Sequence, residues 1–421
     1  MNAYFNRSLR LLADFPGFGW FTASQSISYF NVEMWYVLLP LLTVGMTGDP
    51  FWMGAVAASG YLPFLFAGVP AGWWVDRSSA STVMIVCAAV RAVIFLIIGW
   101  AGLAGRLPLP AVAAAAFLIG LFWAAHATAR RVLIRRLVGR VDAASANSVD
   151  EANLGIAEVV GTLAGGLFAA WLGVHQAVLI QAGLLGLFVV AMLQVKETHE
   201  PVVSDDRGLR EGFAFYLGGA FANRLLLATV ILAVLVFGCC MAFFGLQIFY
   251  YRHSLGISVE RIAWMASAVS VIGLAGPVLV DLAIRRYGLR EAIFGCCAAV
   301  ALGLLAVAYA RSTATVCLAA GIILAGGKAF RVGVVSLAHE WVPDAVLGRV
   351  LGVFSMFAEG ATPAAIFAAG ALAKAVGFPA AFLAAGIIGV LCCAGYYLSP
   401  FGQLKHQETL REPQGEPAVT A

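Results

Sequence analysis

Charge is what this 421-residue chain has least of: Asp, Glu, Lys and Arg together make up 11% of it, against about 25% in ordinary soluble domains. The balance is thin as well, with 26 basic and 22 acidic residues giving a formal charge of +4. The basic residues lie in short connectors rather than along one face, which excludes a nucleic-acid binder with its basic stripe and a charge-extended disordered chain. A water-soluble enzyme is excluded too, because so few polar side chains cannot cover a globule. No Gly-x-x-x-x-Gly-Lys-Ser/Thr phosphate loop, His/Glu metal spacing or nucleophile elbow occurs, so the chain carries no machinery for ATP hydrolysis or intramembrane enzymology, and no cofactor or metal is expected. A secretory signal is also lacking. The first long apolar run begins near Trp20, carries Gln25, Asn31 and Glu33, and is not followed by a small-residue cleavage site.

Cysteine is present without a framework. Cys87, Cys239, Cys240, Cys296, Cys297, Cys317, Cys392 and Cys393 all sit in apolar runs. Six of them form three adjacent pairs, a spacing that suits neither zinc nor a bridge between neighbours, so the cysteines read as small packing residues.

What the chain has in plenty is apolar length: 62% of residues are hydrophobic and the mean hydropathy is +0.92. A helix needs roughly 20 apolar residues to cross about 30 Å of hydrocarbon, and twelve such runs follow one another. In the first half they are Trp20–Thr43, Met53–Val75, Thr82–Ala104, Pro108–Thr128, Ser148–Leu172 and Gln176–Val195. In the second they are Leu225–Tyr250, Ile262–Leu282, Ala292–Ala310, Thr315–Ala338, Val350–Ala373 and Pro379–Leu398. The predicted fold class is therefore an all-α integral membrane protein with 12 transmembrane helices.

With the N-terminus placed inside, 20 of the 26 Lys and Arg residues fall on the cytoplasmic side and only Arg106, Arg252, Arg261, Arg311 and Lys374 on the other, with Arg91 inside a span. Basic loops resist translocation, so both termini are predicted to be cytoplasmic. The one long polar stretch in mid-chain contains Glu197, Glu200, Asp205, Asp206 and Glu211. It divides the spans six and six: a bundle over 1–195, a linker over 196–222, a second bundle over 223–398 and a polar tail over 399–421.

The two halves repeat faintly. Val75-Asp76 recurs as Val280-Asp281, Arg130 as Arg331, and Ala157-Glu158 as Ala358-Glu359, each about 200 residues on. Two six-span repeats related by an axis along the membrane normal are an arrangement of transporters that rock around a midplane site.

The loop Gly72-Trp73-Trp74-Val75-Asp76-Arg77, in this twelve-span frame, resembles the signature after the second helix of the major facilitator superfamily, although Ser78-Ser79-Ala80-Ser81 replaces its later part. Gly161-Thr162-Leu163-Ala164-Gly165-Gly166 resembles that family's antiporter signature with Thr162 in place of a proline. Glu211-Gly212-Phe213, Ala146-Asn147-Ser148, and Val342-Pro343-Asp344 with Gly348-Arg349 are similar to the subgroup of macrolide and enterobactin exporters. The resemblance implies two six-helix bundles around a central cavity, a bacterial inner membrane, and a loop at Asp76 and Arg77 that steadies one conformation.

Buried ionisable groups mark where the chemistry lies, since each costs several kcal/mol in hydrocarbon. Gln25, Tyr29 and Glu33 recur every four residues on span 1, with Tyr36 beside them, and this polar stripe is expected to face the cavity. Glu33 there either alternates between protonated and charged states, as exchange of a proton for substrate requires, or is a structural carboxyl held by hydrogen bonds. Glu158 and Glu359 hold matching places in spans 5 and 11 and are expected on opposite sides of one cavity, for coupling or substrate contact. Arg91, deep in span 3, reads as a partner of Glu33 or Glu158 or a contact for an anionic substrate; His126 reads as a proton relay or an ordinary helix-end histidine. Asp150 and Glu151 read as wet acids at a helix start, where the dipole favours them, or as partners of Arg77 or Arg131 in a gate. Asp76, Arg77 and Asp281 are assigned to gating: breaking their contacts shifts the inward–outward equilibrium rather than binding. Trp35, Tyr36, Trp73, Trp74, Trp100, Trp123 and Trp171 fall near span ends and read as interfacial belts.

The function read from these features is a secondary active transporter, working as a monomer among membrane lipids, that exports a small organic molecule of drug or siderophore type against protons. An importer of a nutrient or metal chelate and a non-transporting membrane sensor or assembly protein are the alternatives.

Overall fold

The structure is a computed structural model and describes residues 11–12, 14–197, 224–310, 312–341 and 357–398. The linker beyond Glu197, the tail, and the motifs at Glu211 and at 342–349 lie outside the described residues. Helices are labelled by span. They are α1 Pro16–Val44, α2 Pro50–Leu65 with Pro70–Arg77, α3 Ala80–Leu103, α4 Leu109–Gly139, α5 Ser145–Leu172 and α6 Val174–Met192. The second half has α7 Leu227–Ser254, α8 Val259–Tyr287, α9 Leu289–Tyr309, α10 Thr313–Trp341, α11 Thr362–Val376 and α12 Phe378–Leu398. Ten of these are long and apolar enough to cross a membrane singly, and the two arms of α2 make an eleventh span; α11 is described only from its middle onward.

Two departures from the sequence expectation have local causes. Span 2 is not one straight rod: a 3-10 turn at Leu62–Leu65 separates its arms, which are bent by 54°. Pro63 and Pro70 remove two backbone donors and crowd the preceding turn. Span 4 does not end at Thr128. Helix continues through Arg130, Arg131, Arg135 and Arg136 to Gly139, whose φ of 74° breaks the run before α5. Leu133, Ile134, Leu137 and Val138 stay buried along this extension, with Arg136 buried beside them and Arg131 and Arg135 exposed, so the arginines stand on a packed helix end instead of in a loop.

Packing follows the repeat. In the first half α1 packs on α5 and α6, α2 on α4, and α3 on α4 and α6; in the second α7 packs on α11 and α12, α8 on α10, and α9 on α10 and α12. The two bundles meet through α2 with α11 and α5 with α8, two pairs that exchange under a twofold relating the halves. Both seams use glycine. A Cβ on Gly54 would stand 3.1 Å from the Gly370 Cα, and one on Gly166 would stand 2.4 Å from the Ala263 Cβ. These approaches lie towards the face that carries the α1–α2 and α11–α12 connections, termed here the opposite face; the face with Arg77, Arg135 and Lys196 is termed the basic face. Across the opposite face Lys374 Nζ also donates to Asp49 at 2.6 Å.

All eight cysteines are free and six are buried. On the basic face Glu197 ties the end of the first bundle down, accepting from the Ser81 amide at 2.7 Å, the Ser81 hydroxyl at 2.8 Å and Arg136 at 2.9 Å.

Candidate functional site

Between the bundles lies a cavity of about 490 Å³, within the range that holds drug-sized molecules. Its wall is mostly aromatic and aliphatic, drawn from α1 to α5 on one side and α7, α8, α10 and the start of α11 on the other. Tyr29, Glu33, Arg91, Glu158 and Glu359 all line it. The five come from three spans and from the approach to α11, so only the fold gathers them.

Glu33 sits midway along α1 with a relative exposure of 9%. No hydrogen bond or ion pair among the described residues engages its carboxylate, and the charged side chains within its electrostatic reach are Glu158 and Lys328. The α1–α5 crossing brings it there: a Cβ on Gly161 would stand 2.8 Å from the Glu33 Cβ, and one on Gly165 3.0 Å from the Met34 Cα. Glycines four apart allow such close approach. Thr162, between them, donates its hydroxyl to the Glu158 carbonyl at 2.7 Å, keeping α5 helical where the resembled signature has a proline.

Glu158 is ion-paired with Lys328 of α10, which links the two bundles at mid-depth. Glu359 pairs with Arg331 at 3.3 Å in a more open position. Lys328 was the missed partner. Its signal was present as a lysine in the middle of an apolar span, which needs a counter-charge, but a partner 170 residues away is visible only after folding.

The polar stripe on α1 divides. Tyr29 and Glu33 face the cavity, whereas Gln25 is fully buried outside its wall and meets His126 Nε2 at 3.2 Å. His126 is itself buried and stacks on Trp123, their ring centroids 5.1 Å apart. Arg91 is fully buried and pairs with neither Glu33 nor Glu158. Its Nη2 donates to Asn31 Oδ1 at 3.4 Å, its guanidinium lies 5.2 Å from the Trp123 centroid, and its Nε and Nη1 have no partner among the described residues. Trp123 is a wall residue rather than part of an interfacial belt, because α4 runs on to Gly139 and puts it well inside the helix. Trp35 is likewise buried, edge-on to Phe95.

Asp150 is no wet helix-start acid. It is 3% exposed, ion-paired with Arg130, and accepts from the Tyr29 hydroxyl at 2.9 Å. The helical continuation of α4 past Thr128 carries Arg130 across to it. Arg77 lies over the Trp73 ring at 4.5 Å, and Asp281 pairs with Arg285 on its own helix at 3.0 Å with both side chains exposed. Neither Asp76, Arg77 nor Asp281 borders the cavity. Among the described residues no group of three His, Cys, Asp or Glu side chains is gathered for a metal ion.

The family model described as Major Facilitator Superfamily matches residues 21–327 and 242–418, taking in both bundles. The chain belongs to the Major Facilitator Superfamily. Among its relatives, the multidrug efflux pump Tap of Mycolicibacterium fortuitum is 25% identical over 365 residues, 83% of this chain and 87% of that one. Its namesake in Mycobacterium tuberculosis is 26% identical over 376 residues, covering 85% and 87%. The solved nucleoside transporter NupG superposes with a TM-score of 0.74 at 15% identity, over 91% of this chain and 99% of that one, a likeness of fold alone. The superfamily resemblance drawn from Asp76-Arg77 and the α5 glycines is thus shown for the family. The chain is a multi-pass membrane transporter of small molecules and not an enzyme.

Proposed function

We propose that this superfamily member exports drug-type organic molecules by alternating access, each passage coupled to entry of protons through Glu33. The observation that carries the reading is an unpartnered carboxylate, half-way along α1, facing an aromatic cavity of about 490 Å³. A carboxylate so placed must be neutralised by a proton or by a cationic group, since leaving it charged and alone in low dielectric is costly; binding one therefore expels the other. The printed names of the relatives, multidrug efflux pumps, agree with export. The excess of Lys and Arg on the basic face supports a cytoplasmic placement of that face and of both termini. In this reading the protein works as a monomer in the inner membrane, its exposed apolar helix faces against lipid. Glu158, Glu359, Tyr29 and Arg91 form the substrate wall, Gln25 supports it through His126, and Asp76, Arg77 and Asp281 steady the basic face.

The test is reconstitution in liposomes holding a pH dye, with proton flux recorded on adding candidate macrolides, organic cations and siderophores. Substrate-triggered flux in the wild type, lost in Glu33→Gln, is the expected result. Substrate movement unchanged in that variant removes Glu33 from the mechanism.

A further inference from the structure

The two repeats match in their Arg and Glu positions but not in their pairing. Arg331 and Glu359 pair with each other at 3.3 Å within the second half. Their counterparts Arg130 and Glu158, each 201 residues earlier, do not: Arg130 turns to Asp150, and Glu158 is left to Lys328 of the other half. Lys328 is itself the odd member, because the residue 201 positions before it is Ala127. Glu33 is unmatched too, as α7 holds no acidic residue. The duplication has therefore been broken at one spot by adding an acid on α1 and a base on α10, and both act on Glu158.

We propose that Lys328 is a tethered counter-cation that fixes the charge the cavity accepts, so that one positive charge, as a proton or a monovalent organic cation, is taken per cycle. Two carboxylates, Glu33 and Glu158, share one ammonium, which leaves one negative charge open. A proton on Glu33 closes it; an arriving monocation closes it instead, and the proton leaves Glu33 for water. A dication would bring one charge too many and force Lys328 off Glu158. The other charged groups facing the cluster do not change this count. Arg331 is held by Glu359 and Arg130 by Asp150. Arg91, against Trp123, and Arg131 also bring their charges to the wall; both are the same before and after loading, so the exchange of proton for substrate is counted over Glu33, Glu158 and Lys328. Tyr36 and Tyr61, stacked 6.2 Å apart beside Glu33, are phenols and neutral at pH 7.

This inference rests on the proposed exchange at Glu33, and its test separates the two. The probes are ethidium, a monocation, and propidium, a dication on the same ring system, with proton flux read beside dye flux in proteoliposomes. Wild type is expected to exchange ethidium for one proton and to exclude propidium. Glu158→Gln, in which Lys328 cancels Glu33, is expected to lose ethidium exchange at least tenfold. Glu158→Gln with Lys328→Met restores a single open charge and should recover it. Lys328→Met alone leaves two carboxylates and should raise the propidium-to-ethidium ratio at least tenfold, with two protons per propidium. An unchanged ratio and stoichiometry in Lys328→Met overturns the inference, as does a double variant no better than Glu158→Gln; that second comparison decides the matter where Lys328→Met does not fold. Wild type exchanging ethidium with Lys328→Met unaltered overturns the charge count alone, whereas wild type moving no cation against protons overturns the Glu33 reading and this inference with it.

Discussion

Gly161 of α5 lies so close to Glu33 of α1 that a methyl group on it would meet the Glu33 Cβ at 2.8 Å and the Phe30 carbonyl at 2.9 Å. The position of the unpartnered carboxylate is therefore set by the absence of a side chain on the neighbouring helix.

Gly161→Ala is expected to push α1 off α5, at a cost of about 1–3 kcal/mol, the usual range for overpacking. Thermal unfolding in detergent should show the loss, and proton-coupled flux should fall with it. Gly183→Ala, where nothing lies within 4 Å of the new Cβ, serves as the control and should leave both unchanged.

The buried Arg130–Asp150 pair, with side chains 12% and 3% exposed, should be costly to break from one side. Removing one partner of such a pair typically costs about 3–5 kcal/mol, because the other charge is left in low dielectric. Asp150→Asn or Arg130→Gln should each lower the melting temperature, and the double variant should regain more than half of the loss. Additive losses in the double variant would show that the two side chains act separately.

The pairing of Asp49 with Lys374 predicts a pH effect on the opposite face. The hydrogen bond from Lys374, with help from the Phe51 amide, holds the Asp49 carboxyl below its ordinary range. A depressed value means the latch is intact above that range and is lost as the pH falls through it. Asp49→Asn should speed labelling of a Leu39→Cys probe by an impermeant maleimide at neutral pH, measured against the same protein without the probe. Because the thiolate fraction falls with pH in both proteins alike, the quantity read is the ratio of wild-type to variant rate, which should rise towards one on acidification.

Glu197 should behave similarly on the basic face. Burial alone would raise its pKa, but hydrogen bonds from the Ser81 amide and hydroxyl, from Ser79 and from Arg136 outweigh burial and lower it. Its contribution to stability is accordingly present near neutrality and disappears as the pH drops through the folded-state value. Glu197→Gln should cost about 1 kcal/mol at pH 7, the usual worth of a hydrogen-bonded group at the partly wetted edge of a protein. Melting curves of wild type and variant should converge in acid.

Much of the fold was legible because a transmembrane helix announces itself in one dimension: α3 and α9 follow directly from uninterrupted apolar length. Gly161 and Gly165 marked a close helix approach on α5, since small residues four apart mean the same thing wherever they occur, but that α1 is the helix they meet was not legible. What escaped depended on distance in the chain or on reading charge as loop. Arg130 to Arg136 looked like a connector, yet the helix continued to Gly139, with Arg131 and Arg135 exposed and Arg130 and Arg136 taken up by Asp150 and Glu197; that single misplaced end put Trp123 in a belt and Asp150 in water. Glu33, Glu158 and Glu359 could each be singled out from the cost of burying charge, but the pairing of Glu158 with Lys328 could not, because no local pattern ties residues of α5 and α10. Gln25 shares the helical stripe of Glu33 and still faces elsewhere, since a stripe fixes a direction only over a turn or two on a helix flanked by several neighbours.

The seams between the bundles are made where Gly54 meets Gly370 and Gly166 meets Ala263. Surfaces of bare backbone have no rotamers to unlock and no knobs to lift out of holes, so one can glide over the other with little friction. In the proposed cycle such a contact acts as a bearing more than as a clasp. Its natural signature is kinetic: an added methyl there should slow the turnover number while leaving the apparent affinity for substrate nearly where it was.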